Sequence, residues 1–170
     1  MSTLDDGGKL TIRLAEPREA HVVLALMKAA FATSASELHP SSALGETIDH
    51  VEAAMASGGA ILAFAPDDPD AAAPGRPVAS SRFEVSRDEG WLAYERLAVH
   101  PGEQGRGIGT RLVAWLERHA RELGLAEVRV TARSREPDTR PYYQALGYEI
   151  TGYSERYGVP DIRTQMRKRL

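Results

Sequence analysis

Three glycines at alternate positions mark the segment with the clearest capacity for chemistry. Gly105, Gly107 and Gly109 lie in the run Val99-His-Pro-Gly-Glu-Gln-Gly-Arg-Gly-Ile-Gly-Thr110, between a predicted strand and a predicted amphipathic helix. Small residues here leave the first backbone N–H groups of the helix uncovered, and these groups have no partner inside the helix. They lie at the positive end of the helix dipole and suit a phosphate or pyrophosphate. Arg106 adds positive charge, and the strand–loop–helix context disfavours a plain surface turn.

The glycine spacing excludes two well-known nucleotide loops. A Walker loop, G-x-x-x-x-G-K-[ST], would begin at Gly102, but Ile108 stands where the lysine is needed. A dinucleotide-binding loop, G-x-G-x-x-G, would begin at Gly105, but Thr110 stands at its third glycine. Too little α/β sequence follows for a dinucleotide-binding fold. A nucleotide-binding α/β domain is therefore the weaker interpretation.

Glu95 is the candidate carboxylate beside this loop. It belongs to the strand that leads into the loop, and strict alternation would place Glu95, Leu97 and Val99 on one face. A carboxylate there could take a proton from an ammonium group, directly or through water. The alternative is a surface glutamate that pairs with Arg96 or Arg133.

Composition narrows the classes of function. The chain has 170 residues, which predicts one domain over residues 10–170 after a flexible N-terminus at 1–9. The net charge of −3 argues against a nucleic-acid binder. The absence of cysteine excludes disulfides, thiolate zinc sites and a cysteine nucleophile, and no other metal-ligand spacing is present. No apolar run is long enough to span a membrane, and the polar N-terminus has no signal-peptide core. The expected location is the cytoplasm.

The hydrophobic pattern predicts an α/β (α+β) chain in the order β-α-α-β-β-β-α-β-α-β-β. Two strands joined by a short turn, 78–85 and 91–99, should pair antiparallel. Strand 91–99, helix 108–123 and strand 127–132 form a βαβ unit, so its two strands should be parallel. The remaining elements are strands at 10–14, 60–65, 148–157 and 163–170, and helices from Pro17 to about Phe31, at 44–57 and at 139–146.

Two motifs resemble those of one family. Gln104-x-x-Gly107-x-Gly109 is similar to the Q/R-x-x-G-x-G/A pyrophosphate loop of the GCN5-related N-acetyltransferase (GNAT) superfamily. The segment Arg140-Pro-Tyr142-Tyr143-Gln-Ala-Leu-Gly147-Tyr148 is similar to that family's F-Y-x-x-x-G-F motif. The resemblance is specific over residues 91–148, and before residue 77 it depends on element order alone. It implies a mixed, mostly antiparallel sheet with helices on both faces, in which strands 91–99 and 127–132 splay into a V that admits acetyl-CoA.

The resemblance also implies a reaction. Acetyl-CoA would be the co-substrate, and its acetyl group would pass directly to a primary amine of a small molecule or peptide. The strand before the loop would hold the pantetheine arm, with the backbone N–H of Val99 as the oxyanion donor. The cofactor-binding residues implied are Leu97, Ala98, Val99, Gln104, Gly105, Arg106, Gly107, Ile108, Gly109 and Thr110.

A tyrosine completes the implied catalytic set. Tyr143 matches the family tyrosine beside the CoA sulfur, where a phenol could protonate the leaving thiolate; the alternative is a core tyrosine. Tyr142 is expected in the core. Glu136 stands where the family often has a cofactor-contacting asparagine, so no contact is assigned to it.

A second function and an oligomeric state are also compatible with this sequence. The rival from another class is a non-catalytic acyl-CoA-binding sensor, which would keep the loop without a working acceptor side. A homodimer is possible, since dimers are common among similar families.

Overall fold

The computed structural model describes residues 4–5, 10–34, 42–66, 75–133, 138–156 and 159–170. These residues form eight strands and four α-helices, and their order agrees with the predicted one apart from an additional short first strand. The strands are β1 (Leu4–Asp5), β2 (Thr11–Leu14), β3 (Gly59–Ala65), β4 (Arg76–Ser86), β5 (Trp91–Val99), β6 (Glu127–Arg133), β7 (Glu149–Arg156) and β8 (Val159–Arg169). The helices are α1 (Ala20–Ser34), α2 (Ile48–Ser57), α3 (Ile108–Glu122) and α4 (Arg140–Ala145).

The described strands form a single mixed sheet in the order β1-β2-β3-β4-β5-β6-β8-β7. β5 and β6 pair in parallel, as the βαβ pattern predicted, because α3 carries the chain back to the same end of the sheet. The other described strand pairs are antiparallel, including β4 with β5. The predicted mixed, mostly antiparallel sheet is confirmed.

Helices cover both faces of this sheet, as predicted. α3 packs its apolar stripe on one face, where Leu112, Trp115 and Leu116 are fully buried against strands β4 to β6. α1 and α2 pack on the opposite face, where Val23 and Val51 join side chains from β3. No helix in the described ranges is both long and apolar enough to cross a membrane.

The first strand and the start of α2 differ from the prediction. β1 pairs with β2 inside the segment that was expected to be flexible, and its two residues are too few to show a pattern. α2 begins at Ile48 rather than near Leu44, because Ser42–Gly45 forms a separate 3-10 helix. Thr47 then caps α2 by accepting a hydrogen bond from the His50 amide.

β5 pairs with β6 over only part of its length. The register runs from Trp91↔Glu127 to Tyr94↔Val130 and stops there, although both strands continue. The two strands therefore diverge beyond Tyr94, which is the V expected for the site. Their diverging ends leave backbone groups without a neighbouring strand on that side.

A β-bulge lies where β5 turns away from β6. The register with β4 passes from Arg82↔Glu95 directly to Ser80↔Ala98, so β5 has one residue too many at this point. Arg96 has a φ of 54°, a left-handed conformation that is uncommon for any residue except glycine. An extra residue in one strand reverses the alternation of side chains beyond it.

Candidate functional site

A cleft of about 580 Å³ occupies the gap between β5 and β6. One wall is the end of β5, the opposite wall is the end of β6, and the glycine loop and the first turn of α3 close one side. Most of the predicted site residues line this cleft: Glu95, Leu97, Val99, Gln104, Gly105, Gly107, Ile108, Gly109, Thr110 and Tyr143. Most of the residues that the sequence assigned to one site therefore lie around one cleft in the structure.

The backbone of Val99 points into the cleft. His100 donates its amide hydrogen to the Val78 carbonyl at 2.8 Å, and the next pair is Ala79↔Val99. Antiparallel pairs alternate in hydrogen bonding, so the N–H and C=O of Val99 face away from β4, toward β6. The Gln104 side chain occupies that side and donates to the Val99 carbonyl at 3.1 Å. The N–H of Val99 thus has the direction that an oxyanion donor requires.

The glycine loop presents bare amides, as predicted. Gly105 and Gly107 have φ angles of 79° and 75°, which glycine adopts without strain, and a Cβ on either would have nothing within 4 Å. Gly107 precedes α3 and provides no side-chain cap, and the first turn has no acidic residue. The first intrahelical bond runs from the Arg111 amide to the Gly107 carbonyl. The N–H groups of the first turn before it are available to an anion.

Arg106 forms an ion pair with an acidic residue of the cleft. Its guanidinium donates to Glu103 at 2.9 Å, and Arg76 donates to the same carboxylate at 2.7 Å. Arg76, with Arg106 beside it, holds the pKa of Glu103 below its usual range. The positive charge expected from Arg106 is therefore shared with Glu103, and Arg106 is not among the cleft-lining side chains.

Ala98 was predicted to bind the cofactor, and the structure does not support this. Its side chain is fully buried on the opposite face, against Met27, Ala30 and Ala43. Its pairing with Ser80 falls in the hydrogen-bonded position, since Val99 occupies the other one. Neither its side chain nor its backbone reaches the cleft.

Tyr143 lies at the floor of the cleft. Its side chain is 8% exposed and packs in a cluster with Tyr94 and Tyr148, at ring-centroid distances of 6.3 and 5.9 Å. Burial raises the pKa of the Tyr143 phenol well above its ordinary value. The phenol is therefore protonated at neutral pH and able to donate a hydrogen bond.

Tyr142 was expected in the core, and this was wrong. It is 37% exposed, and its hydroxyl lies 3.4 Å from that of Thr110. A Cβ on Gly109 would come within 3.3 Å of the same hydroxyl. Tyr142 therefore packs over the first turn of α3. The sequence does not indicate this position, because two adjacent tyrosines give no sign of which one is exposed.

The bulge places Glu95 on a different face from the one that alternation predicted. Tyr94 belongs to the core beneath α3, and after the bulge Leu97 and Val99 pack against that same core. Glu95 faces the opposite side, where Arg82 donates to its carboxylate at 2.6 Å. The ion-pair partner is therefore Arg82, not Arg96 or Arg133. Glu95 still lines the mouth of the cleft, with 58% of its side chain exposed.

Glu46 is a site residue that sequence reasoning missed. It accepts hydrogen bonds from Arg82 at 2.7 Å and from the Nε of Arg96 at 2.8 Å, and all three side chains are largely buried. Arg96 also donates to Ser42 at 3.1 Å. This network joins the 3-10 helix after α1 to the bulge in β5 and to the partner of Glu95. No local sequence motif predicts this network, because its residues lie far apart in the sequence.

Glu136, which replaces the family's frequent asparagine, lies outside the described residues. Among the residues that are described, no group of three or more His, Asp or Glu side chains could hold a metal ion.

Comparison with known proteins relates this cleft to others. The profile of the acetyltransferase (GNAT) family matches residues 25–148, well over half of the chain. A comparison with curated protein sequences finds no significant match.

Several solved structures share the fold. One is yncA of Salmonella typhimurium, solved with its cofactor acetyl-CoA, which has a TM-score of 0.68 and 17% identity over 95% of this chain and 94% of that chain. An aminoglycoside 6′-N-acetyltransferase complexed with coenzyme A has a TM-score of 0.68 and 16% identity over 93% and 96%. A spermidine/spermine N-acetyltransferase from Vibrio cholerae has a TM-score of 0.68 and 13% identity over 96% and 94%. At these identities the similarity concerns the fold.

Proposed function

This chain belongs to the acetyltransferase (GNAT) family, and we propose that it transfers the acetyl group of acetyl-CoA directly to a primary amine. The observation that carries the proposal is the split between β5 and β6. It brings the uncapped amides of α3 and the inward-facing N–H of Val99 to one cleft. The first can bind a pyrophosphate and the second can bind a carbonyl oxygen that becomes negative during attack.

The bonding changes follow from this arrangement. The amine nitrogen attacks the thioester carbonyl carbon, and the carbonyl oxygen gains negative charge opposite the Val99 N–H. The C–S bond then breaks, and the electron pair leaves with sulfur. Tyr143 donates its phenolic hydrogen toward that sulfur, and the nitrogen loses its proton to a base or to water. No acetyl-enzyme on cysteine is formed, because the chain contains no cysteine.

The absence of cysteine also makes the test of this function direct. A thiol reagent added to the protein with acetyl-CoA reports only the CoA that is released, since the chain has no thiol. We expect release that depends on an added primary amine. Binding of acetyl-CoA without release for any amine would instead indicate an acyl-CoA sensor. Preferential binding of ATP or NAD over CoA would contradict the cofactor assignment.

Glu95 is proposed to take the amine proton, and Glu95→Gln tests this. An alkylamine has a pKa near 10, so it arrives protonated at neutral pH, and only its neutral form attacks. Loss of the base should therefore lower kcat/KM most at low pH, with recovery as the pH approaches the pKa of the amine. The measurement is the pH–rate profile of the variant beside that of Glu84→Gln.

Glu84 is the matched control because it is exposed on β4 and faces the same side as Glu95. If Glu95 only attracts a cationic acceptor, KM should rise while kcat is unchanged. A Glu95→Gln profile parallel to that of the wild type would rule out the base.

A further inference from the structure

The charges around the cleft are unevenly distributed. The described charged side chains that line it are three arginines and two glutamates: Arg96, Arg133, Arg163, Glu95 and Glu103. Both glutamates are already engaged, Glu95 by Arg82 and Glu103 by Arg76 and Arg106, and Arg96 is engaged by Glu46. An acceptor with several positive charges would therefore find no unengaged carboxylate among the described lining residues.

Two arginines lie opposite each other on β6 and its neighbour β8. The β6–β8 register pairs Arg133 with Arg163 directly, and both side chains line the cleft. Like charges at directly opposed positions destabilise a sheet. No carboxylate among the described residues forms an ion pair with Arg133. A guanidinium has five N–H donors, so Arg163 can donate hydrogen bonds to a ligand while it keeps other interactions. An oxyanion between the two would offset their repulsion.

The arginines and Glu95 lie at opposite ends of a short stretch of the same sheet face. Thr131 follows Val130, the last residue of β6 that pairs with β5, so Thr131 is the residue opposite Glu95. Neighbouring strands lie about 4.8 Å apart, and a step of two residues covers about 6.6 Å, so the Cα atoms of Glu95 and Arg133 are separated by about 8 Å or more. Side chains from both ends can reach a molecule between them. The carboxylate of Glu95 thus lies on the β5 side of the cleft, and the two opposed arginines lie on its β6 side.

We propose that the acceptor carries an oxyanion close to its amine, either a carboxylate or a phosphate, and that Arg133 with Arg163 binds this oxyanion. This inference rests on the proposed function, since it names the class of acceptor for the same site. Bidentate hydrogen bonds from arginine to an oxyanion are among the strong polar contacts in proteins. They would hold the amine end of the molecule toward Glu95 and the thioester. A polyamine or an aminoglycoside does not fit this distribution of charge.

The test compares acceptors that differ only in the oxyanion. The first pair is a mixture of the amino acids without cysteine, aspartate and glutamate against a mixture of their amides, and the second is phosphoethanolamine against ethanolamine. Spermidine is included as a polycation, and CoA release is followed with a thiol reagent. The amino group of an amide is the weaker base and is richer in the neutral form, so faster reaction of the acids cannot come from nucleophilicity. We expect release with one of the two oxyanion-bearing members, and which one reacts identifies carboxylate or phosphate.

Arg133→Ala tests the residue. Loss of its charged hydrogen bonds should raise KM for the preferred acceptor about 10- to 100-fold. The Kd for acetyl-CoA should be unchanged. Arg129→Ala is the matched control, because Arg129 lies on the same face of β6, four residues away, and pairs with Glu127 outside the cleft. Arg129→Ala should leave KM at the wild-type value.

The outcomes separate this inference from the function on which it rests. If the amides, ethanolamine or spermidine are acetylated as fast as the oxyanion-bearing acceptors, acetyl transfer stands and the oxyanion site is wrong. An unchanged KM in Arg133→Ala has the same meaning. If acetyl-CoA binds but no amine of any kind releases CoA, acyl transfer itself is wrong.

Discussion

Gly107→Asp is expected to abolish the binding of CoA. Gly107 immediately precedes α3, so an aspartate there would place a negative charge against the bare amides that are proposed to bind the pyrophosphate. Gly109→Glu should have the same result, because its side chain would also have to displace Tyr142, whose hydroxyl would lie 3.3 Å from a Cβ at this position. Calorimetric titration with CoA measures the effect directly. Unchanged affinity in a folded variant would contradict the cofactor site.

Two controls separate charge from backbone strain. Gly107→Asn has nearly the shape of the aspartate without its charge, so it should keep more affinity than Gly107→Asp. Gly124→Asp introduces the same residue at the other end of α3, where φ is 74° and a Cβ also has nothing within 4 Å. The backbone strain of an aspartate at position 124 is comparable to that at position 107, about 1 kcal/mol. Because position 124 lies at the far end of α3, its carboxylate does not reach the pyrophosphate site. Gly124→Asp should bind CoA like the wild type.

Tyr143→Phe should lower kcat by about 10- to 10³-fold if the phenol assists departure of the thiolate. The ring keeps its place in the tyrosine cluster, so the Kd for acetyl-CoA should change little. Because burial raises the pKa of Tyr143, its phenol stays protonated through neutral pH and beyond. No loss of kcat below about pH 10, the unperturbed value for tyrosine, should therefore come from its ionisation. Steady-state kinetics over this pH range, with the wild type alongside, provides the measurement.

Tyr142→Phe is the natural control for that experiment. It removes the same atom from the adjacent residue, whose hydroxyl contacts Thr110 on the loop side of the cleft. Its effect should fall on acetyl-CoA affinity more than on kcat. Full kcat in Tyr143→Phe would make Tyr143 a packing residue.

The segment from β5 to β6 was the most predictable part of the fold. Its hydrophobic period changes from two to that of a helix and back, and glycines mark both ends of α3. The parallel pairing of β5 with β6 followed from the connection alone. The position of the glycine loop in the cleft was predictable for the same reason.

The acceptor side was less predictable because it depends on one extra residue in a strand. Alternation gave a wrong face for Glu95, since the bulge at Arg96 leaves no mark in the residue types. The partnership of Glu46 with Arg82 was equally hidden, because 36 residues separate them. Such contacts are set by how the elements pack, which a local pattern does not contain.

The split between β5 and β6 also bears on aggregation through strand edges. A strand edge with unpaired N–H and C=O groups is a template for another chain, and proteins usually protect such edges. Here two such edges face each other inside the sheet, and their apex is closed by the pairing at Tyr94 and Val130. Each edge is shielded by the opposite wall, so a foreign strand cannot approach it from the open side of a flat sheet. The protein can thus keep hydrogen-bonding groups open for a ligand without presenting them as an outer edge for aggregation.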